Sequence, residues 1–103
     1  MTFEEICKTI GEDLAAARKV RRHRMEDAAA RIGTTRQTLA RLEAGDAGVS
    51  IGIMVRAAIA YGLDANLKDL FDPAVDPEAL RKIRHEQPDR IRTDTDDLGS
   101  LDF

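Results

Sequence analysis

Apolar residues recur at three- and four-residue steps along the N-terminal two thirds of the chain, which is the spacing of one buried face of an α-helix. Phe3, Ile6, Ile10 and Leu14 begin the series and predict a first helix over about residues 3–22. The same spacing predicts four further helices, over about residues 25–32, 36–44, from Ser50 to Gly62, and 66–71. No segment favours a strand. The pattern therefore predicts an all-α fold, with five helices around a core of aliphatic residues and alanines.

The C-terminal part of the chain has a different pattern. Asp76 and Pro77 are typical of a helix start, and a weak helix is predicted over about residues 77–87. Residues 88–103 are polar and acidic and carry too little apolar surface to order themselves, so we expect a flexible acidic tail. The predicted division is a globular helical domain over residues 1–72 and a C-terminal extension over residues 73–103.

The segment from Met25 to Gly45 is the most informative part of the chain because it has the features of a helix-turn-helix. Ala29 is small enough to allow two helices to cross closely, and Gly33 can adopt the positive φ that ends the first of them. Thr35 is placed to cap the second helix through its hydroxyl. Leu39 and Leu42 lie three residues apart, so both anchor one face of the second helix to the core.

The opposite face of that second helix carries polar side chains. Arg36, Gln37, Thr38 and Arg41 all lie on it. Arginine and glutamine make two-pronged hydrogen bonds to the edges of guanine and adenine. The sequence therefore predicts a helix that reads bases in a DNA groove. An ordinary solvated helix face is the alternative reading.

The distribution of charge supports this interpretation more than the total does. The net charge of −3 is not typical of a nucleic-acid-binding protein. Between Arg18 and Arg41, however, eight basic residues stand against two acidic ones, whereas residues 93–103 hold four aspartates and no basic residue. A basic patch beside an acidic tail fits phosphate binding with a separate role for the tail. A solvated cluster and a solubilising tail would have the same composition.

Other chemistry is not indicated. Cys7 is the single cysteine and lies on the apolar stripe of the first helix, so it is expected to be buried and no disulfide is predicted. The chain shows no signal peptide and no apolar run long enough to span a bilayer, which predicts a cytoplasmic protein. His23 and His85 stand apart from any ligand partner at suitable spacing. We therefore expect no metal site, no cofactor and no enzymatic activity.

The segment from about Ile10 to Phe71 resembles the lambda-repressor/Cro-type domain, also called the Xre family, and IGTTRQTLARLEAG is the most specific block. The resemblance implies a five-helix lambda-repressor-like domain that forms a homodimer and places its recognition helix in the major groove of a near-palindromic operator in double-stranded DNA. It implies an ion pair between Arg18 and Glu43 that supports the structure. The base contacts implied are Arg36, Gln37 and Arg41, and the phosphate contacts are Thr35, Thr38, Ser50 and Arg24.

Some positions depart from the pattern of that family. Arg24 and Met25 stand where a capping Thr or Ser and often a Gln are usual, so the cap of the second helix is lost although Arg24 can still reach a phosphate. Ala28 replaces a usual leucine and His23 a usual apolar residue. These departures predict a thinner core and put the phosphate contacts in doubt, but not the fold.

Over its whole length the chain is similar to HipB-like antitoxins, which bind and restrain a HipA-like kinase toxin and repress their own operon. Within the acidic tail, Leu98, Leu101 and Phe103 are the candidate partner-binding residues. A frayed end without function has the same composition. A stand-alone Xre-type repressor is one alternative function, and a protein-interaction module with little role in DNA binding is another.

Overall fold

A computed structural model describes residues 1–85, and these contain helices and no strand. The chain divides into two compact units, Met1–Leu67 and Lys68–Phe103. The helices are α1 (Phe3–Val20), α2 (Met25–Ile32), α3 (Arg36–Glu43), α4 (Ile51–Ala60), α5 (Asp64–Lys68) and α6 (Pro77–His85), with a short 3-10 helix at Pro73–Val75. The predicted all-α fold class is therefore confirmed. The continuation of the C-terminal helix to residue 87 and the acidic tail lie outside the described residues.

The helix ends differ from the predictions where the backbone turns early. Helix α1 ends at Val20 instead of residue 22, because the amide of Arg21 bonds back to the Arg18 carbonyl (3.1 Å) and Arg22 adopts a left-handed φ of 57°. Helix α5 covers Asp64–Lys68 instead of 66–71, and the chain leaves helical geometry before Phe71.

Three helices of the first unit begin with the same hydrogen bond. Thr2, Thr35 and Ser50 precede α1, α3 and α4, and each hydroxyl accepts the backbone N–H three residues later at 3.1–3.2 Å. Each bond satisfies one of the amide donors that a helix start leaves unpaired. Arg24 precedes α2 and makes no such bond, as its side chain predicts.

The core of the first unit is small and alanine-rich, as expected. Leu39 of α3 is fully buried in this core. Ala28, which replaces the leucine usual in Xre-type domains, is fully buried in the same cluster. The other buried members of the cluster come from α1, α2, α3 and the region of α4: Leu14, Ala29, Ile32, Leu42, Ala57 and Tyr61. The thin core makes the remaining contacts between helices correspondingly important.

One such contact brings the backbones of α1 and α3 together. A Cβ on Gly11 would lie 2.6 Å from the carbonyl oxygen of Glu43 and 2.7 Å from that of Leu42. A Cβ on Gly45, which has a φ of 84°, would likewise lie 2.8 Å from the Cα of Lys8. Only glycine allows both helices to approach so closely, and this crossing sets the position of the C-terminal end of α3.

The N-terminal half of α1 is not part of the core, which corrects the expectation from its apolar stripe. Phe3, Ile6 and Ile10 are exposed and Cys7 is only half buried. All of these side chains except Ile6 instead line a surface groove, with Leu42 and Met54 among the other residues that line it.

In the described part of the second unit, residues 68–85, two aspartates start the local helices. Asp72 accepts the N–H of Ala74 (2.8 Å) and Asp76 accepts that of Glu78 (3.0 Å). Glu78 also pairs with Arg81 on the surface of α6. Leu70 and Phe71 of this unit are exposed, whereas Tyr61 in the first unit is buried.

Candidate nucleic-acid interface

Helix α3 has one buried and one exposed face. Leu39 and Leu42 lie in the core, while Arg36, Gln37 and Arg41 are exposed on the other side. Helix α2 enters the turn before α3 and ends at Gly33, which has a φ of 86°. The turn at Gly33 directs α3 so that its leucines pack into the core. The polar side chains on the opposite face of α3 therefore face solvent.

Three hydroxyl groups lie at the starts of α3 and α4, and two of them keep a hydrogen-bond donor available. Thr35 accepts the Thr38 amide (3.1 Å) and donates its hydroxyl proton to Thr38 Oγ1 (3.0 Å), so its own donor is already used. Thr38 Oγ1 accepts that proton and keeps its own hydroxyl hydrogen available. Ser50 Oγ accepts the Ile53 amide (3.2 Å) and likewise keeps its donor. Since phosphate oxygens only accept hydrogen bonds, Thr38 and Ser50 are better prepared for a phosphate than Thr35 is.

Arg18 and Glu43 form the ion pair that the resemblance implies. Arg18 Nε donates to Glu43 Oε2 (2.7 Å) and Nη2 donates to Oε1 (3.0 Å), while Nη1 donates to the His23 carbonyl (3.1 Å). The two side chains are only 12% and 8% exposed. The hydrogen bond to Glu43 raises the pKa of Arg18, against the opposing effect of burial. This pair joins α1 to the last residue of α3 and holds the helix from behind its exposed face.

Three arginines lie in the segment between α1 and α2, namely Arg21, Arg22 and Arg24. One of them contacts other parts of the protein, and the side chains of the other two extend into solvent. Arg21 donates to the carbonyls of Ala17 (2.8 Å) and Tyr61 (2.7 Å), and its guanidinium lies 5.5 Å from the centre of the Tyr61 ring. Arg21 therefore has a structural role in cation–π and hydrogen-bonding contacts. Arg22 and Arg24 are exposed, and their side chains make no hydrogen bond or ion pair with any described residue. They remain available for phosphate.

Two ion pairs on the exposed side were missed by sequence reasoning. Arg36 pairs with Glu26 of α2 (Nε–Oε1 3.1 Å), and Arg41 pairs with Asp46 in the loop after α3 (Nε–Oδ2 2.7 Å). The hydrogen bond from Arg41 lowers the pKa of Asp46 below its usual value, with help from the Gly48 amide. An Asp two residues before Gly is a signal for a turn in which the carboxylate accepts the Gly amide, so it could have revealed the Asp46–Gly48 bond but not the pair with Arg41.

A family model described as a helix-turn-helix domain matches residues 9–71, more than half of the chain. The chain belongs to the helix-turn-helix domain family. No curated protein and no solved structure matches it. The matched range includes α2, the turn, α3 and every described candidate contact residue, and it supports an Xre-like DNA-binding regulator.

Two further predictions concern partner binding and membrane crossing. Leu98, Leu101 and Phe103, the candidate partner-binding residues, lie outside the described residues. Within residues 1–85, no helix combines the length and apolarity that crossing a bilayer requires.

Proposed function

We propose that this helix-turn-helix protein is a sequence-specific transcriptional repressor that places α3 in the major groove of its operator. The observation that supports it most is the exposed face of α3, where Arg36, Gln37 and Arg41 project from a helix anchored by two buried leucines. Arg36 would take a guanine and Gln37 an adenine, since their donors and acceptors match those base edges. Arg41, one turn later, would read the edge of the half-site.

The proposed phosphate contacts surround this face. Ser50 and Thr38 have hydroxyl donors available, Arg24 is exposed at the start of α2, and Thr35 can contribute after its hydroxyl rotates. Contacts of this type orient a protein on the duplex without reading its sequence. They would determine the register in which the base-reading side chains enter the groove.

The protein is proposed to bind as a homodimer, through the region that follows α4. A dimer places its two recognition helices about one DNA turn apart, roughly 34 Å, so that each reads one half of a near-palindromic operator. Sedimentation or light scattering of the free protein measures the oligomeric state directly. A protein that stays monomeric both free and on DNA would contradict the dimer.

A mobility shift on the promoter fragment upstream of the protein's own coding sequence tests the main proposal. A discrete complex should survive excess nonspecific competitor at physiological salt. Affinity should fall linearly with the logarithm of salt concentration, with a slope of about −0.9 for each phosphate neutralised. Binding that disappears with competitor would leave only nonspecific attraction and would contradict operator recognition.

A narrower proposal is that the repressor is the antitoxin of a type II toxin–antitoxin system. It rests on the resemblance to HipB-like antitoxins and on the apolar residues Leu98, Leu101 and Phe103 among aspartates. Such a segment can fold onto a protein partner, here a HipA-like kinase toxin. Deleting residues 93–103 should then weaken capture of the kinase encoded beside the gene and leave operator affinity unchanged. If the shortened chain still neutralises the kinase fully, the acidic tail has no such role.

A further inference from the structure

Arg41, Asp46 and Gly48 form a closed unit at the C-terminal end of the exposed face of α3. The Asp46 carboxylate uses one oxygen for Arg41 Nε (2.7 Å) and the other for the Gly48 amide (2.7 Å). The Asp46 amide also donates to the Arg41 carbonyl (3.0 Å). Both ends of the arginine, backbone and side chain, are therefore connected to the same aspartate.

Because Gly48 has no side chain, the side chains of Arg41 and Asp46 can lie close to its backbone. A Cβ at this position would lie 3.1 Å from Arg41 Nη2 and 3.1 Å from Asp46 Oδ1, closer than ordinary van der Waals contact. The φ of Gly48 is not positive, so its backbone does not require glycine. A side chain at position 48 would therefore crowd the guanidinium of Arg41 without straining the backbone.

The geometry of the guanidinium matters because Asp46 contacts only Nε. Among the described residues, neither terminal nitrogen of Arg41 has a hydrogen-bond partner, and the side chain is 52% exposed. These two nitrogens form the paired-donor edge that fits O6 and N7 of guanine. The aspartate thus restrains the arginine and leaves its base-reading edge free.

A carboxylate in this position has an electrostatic cost for DNA binding. It reduces the positive charge that attracts phosphate, and a phosphate contact needs charge more than a particular direction. A base contact, in contrast, depends on direction, and an arginine that is already ordered loses less side-chain freedom on binding. The arrangement therefore favours base reading over phosphate binding at Arg41.

We propose that Asp46 is a positioning residue that aims Arg41 at a guanine in the half-site and so contributes to operator specificity without contacting DNA. This inference rests on the operator binding proposed above. It predicts that loss of the Asp46 carboxylate reduces discrimination at one base position, whereas loss of a nearby carboxylate that does not hold Arg41 leaves that discrimination intact.

Asp46→Asn is the appropriate variant because the amide oxygen can still accept the Gly48 amide. Its NH2 group, however, cannot accept the Nε–H of Arg41. Glu26→Gln is the matched control: it removes one negative charge from the same side of the molecule but breaks the pair with Arg36 instead. Arg41→Ala identifies the base position that Arg41 reads. Circular dichroism verifies that all variants are folded.

Each full-length protein is incubated with a pool of duplexes randomised across the binding site, and the bound fraction is sequenced. The wild-type protein should select guanine at one position whose preference Arg41→Ala removes. Asp46→Asn should reduce the preference at that position about two- to tenfold, the range expected for ordering one long side chain. Glu26→Gln should keep it. Both charge-removing variants should bind unselected duplexes slightly more tightly than the wild-type protein.

The outcomes separate this inference from the function on which it rests. A wild-type protein that selects no sequence would overturn operator recognition itself. A wild-type protein that selects a motif, with Asp46→Asn keeping full discrimination at the Arg41 position, would overturn only the role of Asp46. A uniform loss of affinity in Arg41→Ala across all sequences would assign Arg41 to a phosphate and would also overturn the inference.

A measurement without DNA tests the positioning directly. In the free wild-type protein, the Nε–H proton of Arg41 should exchange slowly with water in nuclear magnetic resonance spectra because Asp46 holds it. Exchange should accelerate in Asp46→Asn and stay slow in Glu26→Gln. Equal exchange rates in the wild-type protein and Asp46→Asn would mean that the pair does not order Arg41 in solution.

Discussion

Two arginine–carboxylate pairs at opposite sides of α3 have the same shortest distance and different surroundings. Arg18 Nε lies 2.7 Å from Glu43 Oε2, and Arg41 Nε lies 2.7 Å from Asp46 Oδ2. The side chains of the first pair are 12% and 8% exposed, and those of the second are 52% and 41% exposed. The buried pair has two hydrogen bonds and its arginine also donates to the His23 carbonyl, whereas Asp46 contacts only Nε of Arg41. The difference in their effects therefore comes from burial and from the number of hydrogen bonds.

The buried pair stabilises the fold, and the exposed pair lies on the face that we propose contacts DNA. Removing one partner from a buried pair leaves a charge without solvation, which is strongly destabilising. An exposed partner is solvated by water when its pair is broken, so little stability is lost. Helix α3 thus combines a rear side that determines where it lies with a front side whose residues can change without unfolding the domain.

The largest effect is expected from breaking the buried pair. Glu43→Ala leaves the Arg18 guanidinium nearly buried without its carboxylate and should lower the free energy of unfolding by about 3 kcal/mol. For a domain of this size that corresponds to a fall in melting temperature of roughly 10–20 °C. Thermal and urea unfolding measure both quantities.

Asp46→Ala is the matched control for that experiment, since it breaks the exposed pair at the same distance. Its melting temperature should stay close to that of the wild-type protein. Equal losses in Glu43→Ala and Asp46→Ala would mean that burial does not distinguish the two pairs.

A smaller loss is expected from Gly11→Ala, which disturbs the same crossing through the backbone. The added methyl group would lie 2.6 Å from the Glu43 carbonyl oxygen, so α1 and α3 must separate. Overpacking of this kind costs about 1–3 kcal/mol, measured by urea unfolding. Gly52→Ala is a suitable control because the nearest atom to its Cβ, Ser50 Oγ, is 3.7 Å away. A Gly11→Ala protein as stable as wild type would contradict the close backbone contact.

On the front of the helix, stability and binding should separate. Arg36→Ala and Gln37→Ala should each weaken operator binding by about 1–3 kcal/mol, the value of one good base contact. Because both residues are exposed, their unfolding free energies should change little. Binding isotherms and urea unfolding of the same preparations test both statements. Specific binding that survives both substitutions would remove these residues from the base-reading role.

Local signals made much of α3 predictable from sequence. The spacing of Leu39 and Leu42, the turn at Gly33 and the capping hydroxyl of Thr35 each depend on a few neighbouring residues. The structure contains all of these features. Such signals determine which face of a helix is buried because periodicity and capping act within one or two turns.

Contacts between segments distant in the sequence were harder to predict from sequence. The role of Gly11 depends on how α1 crosses a helix some thirty residues later, and the exposure of Phe3 depends on where the core ends relative to α1. The pair of Arg41 with Asp46 depends on the conformation of the loop between them. Hydrophobic periodicity contains no information about any of these distances, so it overestimated the core and missed the second ion pair.

The smallest effect concerns Tyr61, which lies near the buried pair. Burial raises the pKa of its phenol above 10.0, and the negative charge of Glu43 raises it further, while Arg18 and Arg21 oppose both. Tyr61 is the single tyrosine and the chain has no tryptophan, so ultraviolet absorbance of the phenolate follows this group alone. The midpoint should be higher in the folded protein than in urea, and Glu43→Gln should lower it while Asp46→Asn leaves it unchanged.

The same shift determines how stability depends on pH. Below the unfolded pKa, both states keep the phenolic proton and Tyr61 makes no difference. As pH rises above about 10, the unfolded chain loses the proton first, which favours unfolding and lowers stability until the folded pKa is passed. Tyr61→Phe should remove this part of the alkaline loss. At neutral pH it should be nearly neutral, since the hydroxyl has no hydrogen-bond partner among the described residues. An identical alkaline decline in Tyr61→Phe would mean that folding does not raise the pKa of the phenol, and that other groups cause the decline.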